Sequence, residues 1–123
     1  MTVLGFDHLV LVCRDVEATL AWYQRHLGLE GVRLDEWRTG QVPFPSLRID
    51  AGTIIDFIPG DPEERGHLDH ICVVVDRSHL DGIRTGGLGV IAEGQRFGAR
   101  GVAESVYVRD PDGLVVELRA YPA

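Results

Sequence analysis

The chain is 123 residues long, 45% hydrophobic and 25% charged, with twelve basic residues against nineteen acidic ones and a formal net charge of −7. That balance argues against nucleic acid or an anionic membrane as a partner, because phosphates would be repelled overall. No apolar run reaches membrane-spanning length, and a chain of this size suits one domain around one core. All twelve basic residues are arginine, so local anion sites stay open, with Arg38, Arg48, Arg96, Arg100 and Arg109 as candidates. Two cysteines, Cys13 and Cys72, are too few for a disulfide scaffold. The N-terminus shows no basic region and no cleavage site, and the expected compartment is the cytoplasm.

Residues 5–13 are β-branched and aliphatic and predict a strand. Asp15 sits where a helix N-cap belongs; Val16, Leu20, Tyr23 and Leu27 follow at helical spacing, and Gly28 stops the helix. Shorter strands are predicted near 30–37, 45–50 and 53–59. The polar stretch 59–66 reads as a linker. A strand over 68–75 follows, then a helix opened by Ser78 with Asp81 three residues on, as in a capping box. Strands near 89–95, 102–109 and 114–120 complete the chain. Asp110, Pro111, Asp112 and Gly113 fit a type I turn between the last two.

The order βαβββ is thus written twice, and the residues repeat with it. Asp7-His8 is matched by Asp69-His70 at an offset of 62, and Asp56, in Gly52–Phe57, by Glu117, in Gly113–Leu118, at an offset of 61. We read one α+β domain, 1–123, made of two modules at about 1–60 and 66–123. Strand alternation puts His8 with Val10 and Val12, and His70 with Cys72 and Val74. Asp56 and Glu117 each stand inside an apolar strand, where an acid is costly unless paired or bound to metal. Each module therefore offers one histidine and one carboxylate. Such a set suits one divalent ion among Zn, Ni, Fe, Mn and Co, between which imidazole and carboxylate do not select sharply. Cys72 reads as a small buried hydrophobe, Trp22 and Tyr23 as helix packing, and Trp37, Phe44 and Phe97 as residues of loops over a cavity. Gly87–Ala92 matches a dinucleotide fingerprint on paper, but it follows a helix and enters a strand, the wrong way round for phosphate binding.

The doubled layout, the Asp-His opening of each module and the run Tyr107-Val108-Arg109-Asp110-Pro111-Asp112-Gly113-Leu114-Val115-Val116-Glu117-Leu118 resemble the vicinal oxygen chelate superfamily of glyoxalases, bleomycin-resistance proteins and extradiol dioxygenases. The resemblance covers nearly the whole chain. It implies tandem βαβββ modules forming a glyoxalase-like open barrel around a central cavity. His8, His70 and Glu117 fall on the superfamily's usual metal positions, and Asp56 on a fourth, where glyoxalase I uses a glutamate. Asp56 is one methylene shorter, which allows it to act through water or behind a histidine. Leu114 replaces the common asparagine of the turn. The implied activity is metal-dependent lyase or isomerase chemistry on a small substrate chelating through vicinal oxygens, with Glu117 or Asp56 shuttling a proton. The rivals are a metal-free protein sequestering a drug or metabolite and an Fe(II) ring-cleaving dioxygenase. A homodimer is implied as well.

Overall fold

A computed structural model describes residues 2–122. Its elements run β1 (Val3–Cys13), α1 (Val16–Leu27), β2 (Glu30–Val32), α2 (Leu34–Arg38), β3 (Ser46–Asp50) and β4 (Thr53–Pro59). They continue with α3 (Pro62–Arg65), β5 (Leu68–Val75), α4 (Arg77–Thr85), β6 (Ala92–Gly98), β7 (Gly101–Arg109) and β8 (Val115–Ala120). Two compact units result among the described residues, one of Leu9–Asp69 and one of residues 2–8 with 70–122. The division falls inside β1, so His8 is grouped with the later half of the chain.

In the Leu9–Asp69 unit, β2, β3 and β4 form an antiparallel meander in which Ser46 stands opposite Asp56. Helix α1 is bounded as its sequence predicts. Asp15 accepts from the Ala18 N–H at 3.0 Å, and Gly28, at φ +66°, closes the C-terminus through its N–H to the Gln24 carbonyl. Its Val16 and Leu20 are buried with Cys13, Leu47 and Phe57, and Tyr23 adds its ring 5.7 Å from Phe57. The strand expected near 30–37 ends at Val32, and Leu34–Arg38 is helical instead. Two features account for the change. Asp35 and Glu36 favour the first turn of a helix. Leu34 also folds back over Gly31, where a Cβ would come within 2.5 Å of its Cδ1. The linker holds a single helical turn, with Asp61 accepting from the Glu63 N–H and Pro62 in the first position.

The other unit orders its strands β5-β8-β7-β6. Strands β5 and β8 are parallel, with Cys72 opposite Glu117, while β7 runs antiparallel to β8 and sets Ser105 opposite Arg119 and Tyr107 opposite Glu117. Helix α4 is capped by Asp76 rather than by Ser78. Asp76 accepts from the His79 N–H at 2.7 Å and from the Ser78 hydroxyl at 2.8 Å, so Ser78 falls inside the first turn. The strand expected near 89–95 starts later, at Ala92, after Gly87 and Gly89 adopt positive φ. Val75, Leu80, Val106, Val108, Leu118 and Ala120 make the core.

Phe57 has no exposed surface at the centre of its cluster. Phe57→Ala is expected to cost about 3–5 kcal/mol in urea unfolding. Removing the α1 cap by Asp15→Ala should cost about 1 kcal/mol. Equal losses would contradict the central placement of Phe57.

Candidate metal centre

Three donors predicted from the repeat meet within one unit. His8 comes from β1, His70 from β5 and Glu117 from β8, and one ligand atom of each lies within 4.8 Å of the others. Glu117 Oε1 is the point of convergence, 3.0 Å from His70 Nε2 and 3.2 Å from His8 Nε2. His8 and Glu117 are buried and His70 is only slightly exposed. The two imidazoles meet edge to face with centroids 5.6 Å apart, and Tyr107 stands edge-on to His70 at the same distance.

Each of the two most buried donors is held from behind. His8 Nδ1 lies 2.7 Å from Asp7 Oδ2. A carboxylate only accepts, so Nδ1 carries the proton and Nε2 presents its lone pair toward Glu117. A lone pair facing a carboxylate oxygen is repulsive unless a proton or a cation lies between them, and the donor set therefore fits a divalent ion. Glu117 Oε2 accepts from Ser105 Oγ at 2.7 Å and from Arg119 Nη1 at 3.0 Å. Burial opposes ionisation of Glu117, but the two imidazoles and the Ser105 hydroxyl around it outweigh it and hold the carboxyl well below the usual carboxylate range.

Asp7 is also ionised against its burial. His8, the Tyr121 hydroxyl at 2.5 Å and the Ala99 N–H at 3.0 Å all bond to it and lower its pKa. Asp7, His8 and Cys72 form a second grouping of donors. Both Asp7 oxygens are already accepting from protein groups, and burial pushes the Cys72 thiol up to about 12, so this grouping supports the first.

Asp56 lies in the Leu9–Asp69 unit, on β4, and the grouping of His8, His70 and Glu117 forms without it. It is buried and accepts from Ser46 Oγ at 2.5 Å; Ser46 in turn accepts from Arg33 Nη2 at 3.3 Å. Arg33 caps α2 at φ +59°, the single non-glycine residue with positive φ among those described.

Sequence reasoning missed Arg119, Ser105, Tyr107 and Tyr121. Residues 117, 119 and 121 share a strand parity, and that was the available signal for Arg119 and Tyr121. The arginines singled out earlier are engaged elsewhere. Arg38 binds Glu17 through two nitrogens, Arg48 and Arg109 reach backbone carbonyls, and Arg96 and Arg100 lie over Tyr107 and Tyr121. Trp37 packs on the Phe57 cluster. Trp22 is 53% exposed, with its ring against Tyr23 and His26 of the same helix, and lines a cleft of about 560 Å³ on the Leu9–Asp69 unit with Leu11, Tyr23 and His67.

The backbone must come close to Arg119, and Gly98 permits it. A Cβ there would lie 2.4 Å from Arg119 Cζ and 2.7 Å from the Tyr121 hydroxyl. Gly98→Ala is therefore expected to destabilise the unit by about 1–3 kcal/mol through overpacking. Thermal melts beside the neighbouring substitution Ala99→Gly would check it, and an unshifted Gly98→Ala melt would refute the close approach.

Comparison with known proteins identifies the family and the fold. The family model for the Glyoxalase/Bleomycin resistance protein/Dioxygenase superfamily matches residues 5–118. The glyoxalase domain-containing protein RDO1 of Mycosarcoma maydis is 32% identical, over 98% of this chain and 70% of its own length. The virulence protein STM3117 of Salmonella typhimurium is 28% identical, over 98% and 87%. Among solved structures, a Streptomyces coelicolor methylmalonyl-CoA epimerase variant in complex with 2-nitronate-propionyl-CoA superposes with TM-score 0.72 at 20% identity, covering 99% of this chain and all of that one. The methylmalonyl-CoA epimerase of Mycobacterium tuberculosis gives 0.68 at 18%, covering 98% and 90%. At such identities the likeness is one of fold, the glyoxalase-like βαβββ architecture. The chain belongs to the Glyoxalase/Bleomycin resistance protein/Dioxygenase superfamily.

Proposed function

We propose that this protein is a divalent-metal-dependent enzyme whose small substrate chelates the ion through two vicinal oxygens, with lyase or isomerase chemistry at a carbon beside a carbonyl. The observation that carries the reading is the convergence of His8 Nε2, His70 Nε2 and Glu117 Oε1, two of them with an outer partner already in place. His8, His70 and Glu117 would hold the ion, and three protein donors leave room for substrate oxygens. Bound there, Zn, Ni, Fe, Mn or Co supplies Lewis acidity to the oxygens of the substrate.

The remaining work falls to the protein's own groups. Glu117 has both oxygens engaged, Oε1 toward the imidazoles and Oε2 on Ser105 and Arg119, which suits it to holding rather than to moving a proton. For the proton carrier we keep Asp56, the buried acid that the sequence repeat pairs with Glu117, with Ser46 orienting it. Tyr107 fences one side of His70. The structural neighbours named as epimerases support an isomerisation, and the cytoplasmic homodimer expected from the sequence is kept as part of the proposal.

Two measurements test the reading. Metal content by mass spectrometry on untagged protein should be near stoichiometric, and lost in the double variant His8→Ala/His70→Ala. No metal after reconstitution with Ni, Zn, Mn and Fe(II) would leave a sequestering cavity. Asp56→Asn should keep the metal and lower turnover in glyoxalase-type or epimerase-type assays by about 10²–10⁴. Glu117→Gln should lose the ion. Full activity in Asp56→Asn would remove it as the proton carrier.

A further inference from the structure

We infer that Arg119 is a positioning residue of the metal centre, a single buried guanidinium that fixes how Glu117 and, through Asp7, His8 present their donor atoms. The inference rests on the metal reading above. Arg119 is fully buried, the largest such side chain among the described residues. Its Nη1 donates to Glu117 Oε2 at 3.0 Å and lies 3.4 Å from Ser105 Oγ. With Oε2 held in this way, the carboxylate cannot turn both oxygens inward, and Oε1 alone faces the two imidazoles.

The same guanidinium reaches the opposite side of the centre. Its Nε has no hydrogen-bond partner and stands 3.9 Å from Asp7 Oδ1, too far for a hydrogen bond but close enough for charge attraction. Tyr121 completes the link. Its hydroxyl donates to Asp7 Oδ1 at 2.5 Å, and its ring lies 4.8 Å from Arg119 Cζ. Asp7 Oδ2 then holds His8 Nδ1.

Arg119 is itself anchored by backbone. Nη1 donates to the Phe97 carbonyl at 3.2 Å, and Nη2 to the Arg96 and Gly101 carbonyls at 2.8 and 2.9 Å. A planar fork tied to three carbonyls has no freedom to follow a carboxylate that moves, so the carboxylate conforms to it. Filling the core would require none of this. A lysine could supply the charge but not the simultaneous reach to Glu117 and the β6–β7 turn.

The test is Co(II) titration of metal-free protein, followed by the d–d absorption of the bound ion. It compares wild type with Arg119→Met and Arg119→Lys, each checked first by circular dichroism. Arg119→Met should bind Co(II) about 10–100-fold more weakly, as loss of an outer partner does at metal sites, and its absorption bands should shift as Glu117 is freed to offer both oxygens. Arg119→Lys should keep part of the affinity but not the wild-type spectrum. If Arg119→Met does not fold, Arg119→Lys carries the test through its spectrum. Affinity within about two-fold of wild type and an unchanged spectrum, in Arg119→Met or, where that does not fold, in Arg119→Lys, would overturn the inference. Wild type that takes up no Co(II) would overturn the metal reading and this one with it; wild type that binds while the variants match it overturns only this one.

Discussion

A guanidinium removed wholly from water must have its charge and its donors answered from within the protein, and the answer given to Arg119 arranges everything around the candidate centre. Three carbonyls at the β6–β7 turn take its forked nitrogens, and Glu117 and Asp7 supply the counter-charge. Each of those demands propagates. The carbonyls fix the path of the turn, the turn needs Gly98 where the guanidinium passes, and the acids fix the two donors that stand in front of them. Burial would favour loss of the charge on Arg119, yet the surrounding acidic groups keep it protonated. A buried ion pair of this kind contributes little net stability, but it admits few alternative arrangements.

The first half of the chain uses the same chemistry with different parts. There an arginine, a serine and a carboxylate again stand in series, Arg33 to Ser46 to Asp56. The serine and the acid face one another across β3 and β4, whereas Ser105 stands opposite Arg119 rather than Glu117. The arginine comes from the cap of α2 instead of from the strand that carries the acid. The duplication is therefore visible in the sequence as matching strands and ligand types, while the supports behind the acids have diverged.

That difference explains what could be read from the sequence. His8, His70 and Glu117 were legible because an imidazole or an acid among aliphatic strand residues is anomalous, and because two anomalies at one offset reinforce each other. The element boundaries that depend on local capping, such as α1 between Asp15 and Gly28, were legible for the same local reason. Arg119 was not, because one arginine in a strand reads as solvent-facing until the partner strand is known. Ser105 and Tyr107 needed the β7–β8 register, which no local signal supplies. The Ser78 cap failed through competition. Asp76 reached the free N–H of His79 first, leaving the Ser78 hydroxyl to bond to Asp76 itself.

Asp7 joins residues very far from it in the chain, Ala99 at a separation of 92 and Tyr121 at 114. During synthesis, which proceeds from the N-terminus, the strand carrying Asp7 and His8 cannot take its buried partners until almost all of β8 and the residues after it have been made. The Leu9–Asp69 unit draws on a continuous stretch of chain and has no such wait. The grouping of His8, His70 and Glu117 thus forms only once β8 has been made, and His8, the earliest made of the three, waits longest.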